Sequence, residues 1–155
     1  MVIFLNNKEV VNVLLVEDNP ADARLIKEAC GGFTIKNEVN TVENGMDAME
    51  YLYKTGKYKD SKRPNLIILD LNLPKKSGRE VLKEVKQDDK LKLIPIIVLT
   101  TSRDEDDICN SYRCYANAYV TKPTDFDEFD ELICSFEDFW FKKAILPTCP
   151  NCKRD

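Results

Sequence analysis

Four apolar residues in a row, Leu66 to Leu69, deliver a single carboxylate, Asp70. A second apolar run, "VNVLLVE", ends on an acidic pair, Glu17 and Asp18. A third, "IPIIVLT", ends on Thr100, and a short one, "NAYVT", stops one residue before Lys122. Like charges a few ångströms apart do not all ionise cheaply, so three gathered carboxylates call for a cation. All-oxygen ligands favour a hard ion, Mg²⁺ before softer metals. The Thr100 hydroxyl and the Lys122 ammonium complete a set suited to a phosphoryl group. Mg²⁺ and Lys122 neutralise its charge while an Asp70 oxygen attacks phosphorus in line, giving an aspartyl phosphate. Taken singly, each residue has a plainer role: Asp18 as a helix cap, Lys122 as a solvated end, Thr100 as an ordinary strand threonine. Found together at four strand ends, they favour the chemistry.

That chemistry needs elements that bring the four ends to one edge. Apolar runs rich in β-branched residues alternate with helical patterns along the whole chain. "VNVLLVE" (11–17) reads as a strand, followed by a helix over "DNPADARLIKEAC", with Asn19 as cap and Pro20 in the first turn. "KNEVNTVE" is a more polar strand, suited to an edge. "NGMDAMEYLYK" is a helix with Ala48, Met49 and Leu52 on one face. After the polar loop "TGKYKDSKRPN" come the strand "LIILD", the helix "SGREVLKEVKQ" and the strand "IPIIVLT". The helix "DEDDICNSYRCY", the strand "NAYVT" and a long final helix, "TDFDEFDELICSFEDFWFKKA", complete the chain. Strands alternating with helices predict an α/β fold, a parallel sheet covered on both faces. The runs at 66–69 and 96–99 match central strands buried on both sides. In such sheets ligands bind at the carboxyl ends of the strands, beside the point where strand order reverses.

Composition narrows the alternatives. The sequence is 155 residues long, 43% hydrophobic and 32% charged, with a net charge of −4. That is the balance of one ordinary globular domain. No basic run follows a phosphate backbone, so no direct nucleic-acid binding is expected. No apolar run approaches the roughly 20 residues that cross a bilayer, so no membrane segment is expected. "MVIFLNNKEVVNV" lacks a basic n-region and a cleavage site, and the cytoplasm is the expected compartment. The sequence holds no histidine, which removes Ser-His and Cys-His catalysis and every His-containing metal site. Of six cysteines, Cys30, Cys109, Cys114 and Cys134 lie singly in helical patterns and read as buried thiols. The "CPNC" of Cys149 and Cys152 has half-site spacing, but one pair cannot close a tetrahedral zinc site.

The motifs resemble those of the receiver domains of two-component response regulators, over roughly residues 10 to 140. They are the acidic pair Glu17-Asp18, the acceptor Asp70 with Pro74 four and Gly78 eight residues on, Thr100, and Lys122-Pro123. The resemblance implies a doubly wound, five-stranded parallel sheet in the order 2-1-3-4-5. It implies Asp70 as phosphoacceptor from a sensor histidine kinase. Mg²⁺ would be held by Asp18, Asp70 and the backbone carbonyl of Asn72, with Glu17 acting through water. Thr100 and Lys122 would bind phosphoryl oxygens, and the Lys122-Pro123 peptide would typically be cis. Tyr119, three residues before Lys122, stands where receivers place an aromatic that follows the threonine on phosphorylation. Ser102 and Asn72 flank the path of a hydrolytic water and are candidates for setting the phosphorylated lifetime.

The domain implied is 10–145, with a short segment 1–9 before it and a tail 146–155 after it. Only fifteen residues follow Trp140, too few for an output domain, so a stand-alone receiver signalling by protein contact is expected. It would undergo self-phosphorylation and autodephosphorylation without being an enzyme in the turnover sense. The loop from Thr55 to Pro64, with "EDNPAD", "LTTS" and the late "FW", is similar to small receivers paired with phytochrome-type and hybrid histidine kinases. Those often form dimers through the fourth helix, fifth strand and fifth helix. The apolar residues of the final helix, Phe126, Phe129, Leu132, Ile133, Phe136, Phe139 and Trp140, spread over roughly 140° of its circumference at about 100° per residue. That width suggests a second surface, for a returning tail or a partner. Two other readings remain: a degenerate receiver that only binds, and a haloacid-dehalogenase-type hydrolase. The hydrolase requires an acid two residues after its nucleophile, where this chain has Asn72, and it carries the nucleophile on its first strand.

Overall fold

The computed structural model describes residues 10–148. Five strands, β1 (Val11–Val16), β2 (Asn37–Val42), β3 (Leu66–Leu69), β4 (Ile96–Thr100) and β5 (Ala118–Thr121), form one sheet. All pairs are parallel and the order is β2-β1-β3-β4-β5, as the resemblance implied. The intervening helices are α1 (Pro20–Gly31), α2 (Gly45–Tyr53), α3 (Gly78–Gln87), α4 (Glu105–Arg113) and α5 (Phe126–Phe136). Among the described residues no helix is long and apolar enough to cross a membrane.

Alternation along the strands divides the core into two layers, because successive strand side chains point to opposite faces. Leu14, Val16, Ile67, Leu69, Ile96 and Val98 pack with residues of α2 and α3. Val13, Leu15, Leu66, Ile68, Ile97 and Leu99 pack with α1 and α5. Every residue of β3 and β4 is buried. Each such Leu, Ile or Val contributes about 1.5–3 kcal/mol, and the two central strands form a stiff platform for the loops at their carboxyl ends. α4 is the exception: Ser111 is its only buried residue.

The final helix is shorter than the sequence suggests. Regular α-helix stops at Phe136, and Glu137–Phe141 forms a wider π-turn. The turn rotates Phe141 into the core, edge-on to Phe33 with ring centroids 5.1 Å apart. The tail then folds back, with Leu146 against the α1/α5 layer and Asn65 Nδ2 donating to the Pro147 carbonyl at 3.1 Å. This return accounts for part of the wide apolar stripe; Phe126 and Phe139 remain exposed. The cysteine expectation holds only in part. Cys30 is buried and its thiol pushed up to about 12 by burial, whereas Cys114 is half-buried and Cys109 and Cys134 are exposed. Helical periodicity turns the last two outward, each on a helix side facing away from the sheet. The Cys149–Cys152 pair lies outside the described residues.

Two glycines fix the loop after β3 by close approach. A Cβ on Gly78 would stand 2.0 Å from the Asp70 carbonyl oxygen and 2.7 Å from Leu71 Cα. A Cβ on Gly45 would stand 2.0 Å from the Lys76 carbonyl oxygen. Both obstacles are backbone, so the loop itself must shift. Gly78→Ala is expected to cost about 1–3 kcal/mol or more by overpacking, read as a lowered urea midpoint. A midpoint equal to that of the unaltered chain would show the loop to be freer than this contact implies.

Candidate functional site

The sheet register assembles the site. Val16 pairs with Leu69, so one step further Glu17 stands against Asp70. The Asp70 amide donates to the Val16 carbonyl at 3.0 Å and the Glu17 amide to the Val42 carbonyl at 3.0 Å. Thr100 pairs with Thr121, and the Lys122 amide donates to the Thr100 carbonyl at 2.8 Å. Four strand ends thus meet at one rim, on both sides of the point where the order reverses from β1 to β3.

Carboxylate oxygens of Glu17, Asp18 and Asp70 all lie within 4.8 Å of one another, the first and last buried and Asp18 exposed. Lys122, only 5% exposed, reaches into this group. Its Nζ donates to Glu17 Oε1 at 2.5 Å, to Asp70 Oδ2 at 3.0 Å and to Asp22 Oδ2 at 3.0 Å. An ammonium has three donors, and all three are engaged. The Asn19 amide donates to Glu17 Oε2 at 3.1 Å, while the Asn19 side chain caps α1 by accepting from the amides of Ala21 and Asp22.

Asp22 is the residue that sequence reading passes over. It sits in the first turn of α1, where a carboxylate is expected for the helix dipole alone. Its signal was its spacing, three residues past the cap and five past Glu17, which turns it back over the strand ends.

Burial sets the protonation balance. Loss of water raises the Glu17 carboxyl to about 7, against the opposing pull of Lys122. Lys122 itself is held above the ordinary lysine range, since hydrogen bonds and charge from Glu17 and Asp70 outweigh its desolvation. These two tendencies conflict. The three carboxylates around Lys122 favour a charged ammonium at neutral pH, with Glu17 the group nearest to titrating.

The remaining predicted residues lie around this core. Thr100 is fully buried, and its Oγ1 accepts from the Ser102 amide at 3.4 Å. Among the described residues its hydroxyl makes no bond to Asp70 or Lys122. Asn72 is exposed and its amide donates to Asp70 Oδ1 at 3.2 Å. Tyr119 is half-buried, and its hydroxyl donates to the Ser102 carbonyl at 2.9 Å. The Lys122-Pro123 expectation is corrected: no peptide bond is cis among the described residues. The proline amide separates its isomers by only about 0.5–1 kcal/mol, so motif alone could not fix which is present.

Such a site has known counterparts. Residues 13–134 match the family profile of the response regulator receiver domain. The chain is 47% identical over 135 residues to the response regulator Rcp1 of Synechocystis, covering 87% of this chain and 92% of that protein. The Mn²⁺-bound structure of Rcp1 superposes with a TM-score of 0.87 at 46% identity, covering 89% of this chain and 99% of that one. The phosphorylated cyanobacterial phytochrome response regulator RcpA superposes with a TM-score of 0.88 at 49% identity, covering 90% and 100%.

Proposed function

The chain belongs to the response regulator receiver family, and from that premise we propose that it accepts a phosphoryl group on Asp70 from a sensor histidine kinase. The observation that carries this reading is the shared ammonium. Lys122 bridges Asp70 and Glu17 at the sheet's ligand edge, with Asp18 alongside. In the transfer, an Asp70 carboxylate oxygen forms the new P–O bond as the donor's P–N bond breaks, and the electron pair leaves with the imidazole. Lys122, already hydrogen-bonded to Asp70 Oδ2, passes that donor to a phosphoryl oxygen, and the buried Thr100 hydroxyl supplies another. The domain engaged is 10–145.

The donor set fits a hard divalent cation: three clustered carboxylates with, among the described residues, no sulfur ligand beside them, in a chain that holds no histidine. Asp18, Asp70 and the Asn72 carbonyl would hold Mg²⁺, with Glu17 reaching it through water. When bound, the ion offsets charge on the transferring phosphoryl group. Its neighbours Rcp1 and RcpA, one solved with Mn²⁺ and the other phosphorylated, support this reading.

RcpA also gives a phytochrome-type kinase as the first partner to test. The output is contact with other proteins in the cytoplasm. A homodimer through α4, β5 and α5 has exposed Tyr112, Tyr115 and Phe126 to supply apolar contact.

Incubation with Mg²⁺ and a small phosphodonor is expected to add a single acid-stable, base-labile group of about 80 Da to the intact mass. No adduct would sink the proposal, and steady phosphate release from unrelated phosphoesters would favour a hydrolase. Cation affinity should also depend on pH. Below about 7 a proton on Glu17 competes with the ion, so calorimetric affinity is expected to rise with pH up to about 7 and then level. Glu17→Gln should remove that dependence. Without the cation the sign reverses for stability: a carboxyl raised in the folded state stabilises most below its free value of 4.5, and that contribution is lost as pH climbs through about 7.

A further inference from the structure

Lys122 follows the end of β5 yet meets its partners at the ends of β1 and β3 and on α1. Two strand spacings, about 10 Å, separate β5 from β3, so the side chain crosses the end of β4 to reach Asp70. A lysine stem is flexible and ends in a point charge with rotatable donors, so reach alone aims none of them. The acceptors aim them: Glu17 Oε1, Asp70 Oδ2 and Asp22 Oδ2. Glu17 and Asp70 sit on neighbouring strand ends, whereas Asp22 comes from a helix.

Asp22 differs from the other two in a second way. Among the described residues, the carboxylates gathered closely enough to hold one cation are Glu17, Asp18 and Asp70, without Asp22. A cation in that cluster shares Glu17 and Asp70 with the ammonium, and a phosphoryl group bonded to Asp70 removes that carboxylate's charge. Asp22 is the acceptor that Lys122 does not share. It is also firmly placed: Pro20 opens α1, and the capping Asn19 side chain accepts from the Asp22 amide at 3.2 Å. The Asn19 amide donates to Glu17 Oε2 at 3.1 Å, so one cap residue sets both acceptors other than Asp70. The helix dipole alone asks only for an exposed acid in this turn. The Asp22 side chain is instead 25% exposed and turned onto Lys122.

We infer that Asp22 is a positioning residue for phosphoryl transfer, anchoring the Lys122 ammonium so that one donor stays aimed at Asp70. The inference rests on Asp70 being the phosphoacceptor. Without the anchor the ammonium keeps Glu17, turns about it, and points its donors at water for part of the time. The donor that passes from Asp70 to a phosphoryl oxygen is then misplaced in the transition state, where it matters most. Charge acts in the opposite sense, since a carboxylate near the site repels an incoming phosphoryl group. Anchoring prevails because the Asp22 charge is offset by an ammonium 3.0 Å away.

Asp22→Asn and Asp22→Ala separate the two effects. Asparagine keeps an oxygen in the same place for Lys122 and loses the charge; alanine loses both. Each gives up the same helix-dipole contribution, so a purely structural role moves the two alike. Transfer from acetyl phosphate with saturating Mg²⁺, followed by intact mass, is expected to slow about tenfold in Asp22→Ala. Asp22→Asn should stay within about threefold of the unaltered chain. Equal rates in all three chains, equal slowing in both variants, or faster transfer in either would overturn the inference.

The ammonium can also be followed with neither metal nor phosphodonor present. At low temperature, Lys122 held by three acceptors should give a proton–nitrogen resonance protected from solvent exchange, assigned by its absence from Lys122→Arg. Lys86, whose ammonium donates to the Lys92 and Ile94 carbonyls and to Asn117 Oδ1, serves as a control on the fold. Asp22→Ala should speed exchange severalfold at Lys122 and leave Lys86 unchanged, while Asp22→Asn stays near the unaltered chain. Unchanged exchange at Lys122 in Asp22→Ala, or no protected resonance in the unaltered chain, refutes the anchor whether or not Asp70 is phosphorylated. If exchange behaves as expected and the unaltered chain takes up no phosphoryl group, the phosphoacceptor reading fails, and the role in transfer fails with it.

Discussion

Asp70→Asn is expected to abolish the base-labile phosphoryl adduct while leaving the chain folded. The reactive oxygen is the only thing the substitution must remove. An amide has the same shape, keeps one oxygen to accept from the Asn72 amide or from Lys122, and takes one negative charge out of a crowded group. Lys122 retains Glu17 and Asp22 as partners. The stability change should therefore stay within about 1 kcal/mol, the scale of one hydrogen bond exchanged for another. Intact mass after exposure to phosphodonor and Mg²⁺ supplies the first readout and a urea unfolding curve the second. An adduct that persists in Asp70→Asn would move the nucleophile to Glu17 or Asp18. Loss of the fold would mean that Asp70 serves the structure first.

The strand ends were legible in the sequence because a parallel sheet leaves few choices. Once the apolar runs at 66–69 and 96–99 are central strands, Asp70 and Thr100 must emerge at the same edge. The order that sets Glu17 beside Asp70 came from the resemblance, since alternation alone does not rank strands. Asp22 was hidden by a local explanation that sufficed, the acidic first turn of a helix. The Arg79–Asp107 ion pair was hidden for the opposite reason: the two lie 28 residues apart on α3 and α4, and no periodicity reports a contact between charged side chains of different helices. The end of α5 was misjudged because "FEDFWF" holds no Gly or Pro and continues the apolar spacing through a π-turn that carries Phe141 into the core.

Lys122→Met is the substitution with the largest expected effect on stability, and its pH dependence distinguishes lost charge pairing from lost packing. Methionine fills much of the lysine's apolar volume, so the main loss is the ammonium. Glu17 and Asp70, both buried, are then left uncompensated, and breaking one side of a buried ion pair typically costs about 3–5 kcal/mol. Lys122 is also what pulls the Glu17 carboxyl down; without it, burial drives that group higher than about 7. A carboxyl raised in the folded state loses its stabilising contribution as pH rises through its folded value. The variant should therefore be less impaired at pH 6, where Glu17 takes up a proton, than at pH 8, where it must be buried charged. Mg²⁺ should narrow the deficit at pH 8, because the ion offsets the carboxylates that have lost Lys122 and so stabilises the variant more than the unaltered chain, whose ammonium already occupies Glu17 and Asp70. Unfolding midpoints at the two pH values, with and without Mg²⁺, give all four numbers. An equal deficit under all four conditions would assign Lys122 to packing and remove the shared ammonium from the centre of this site.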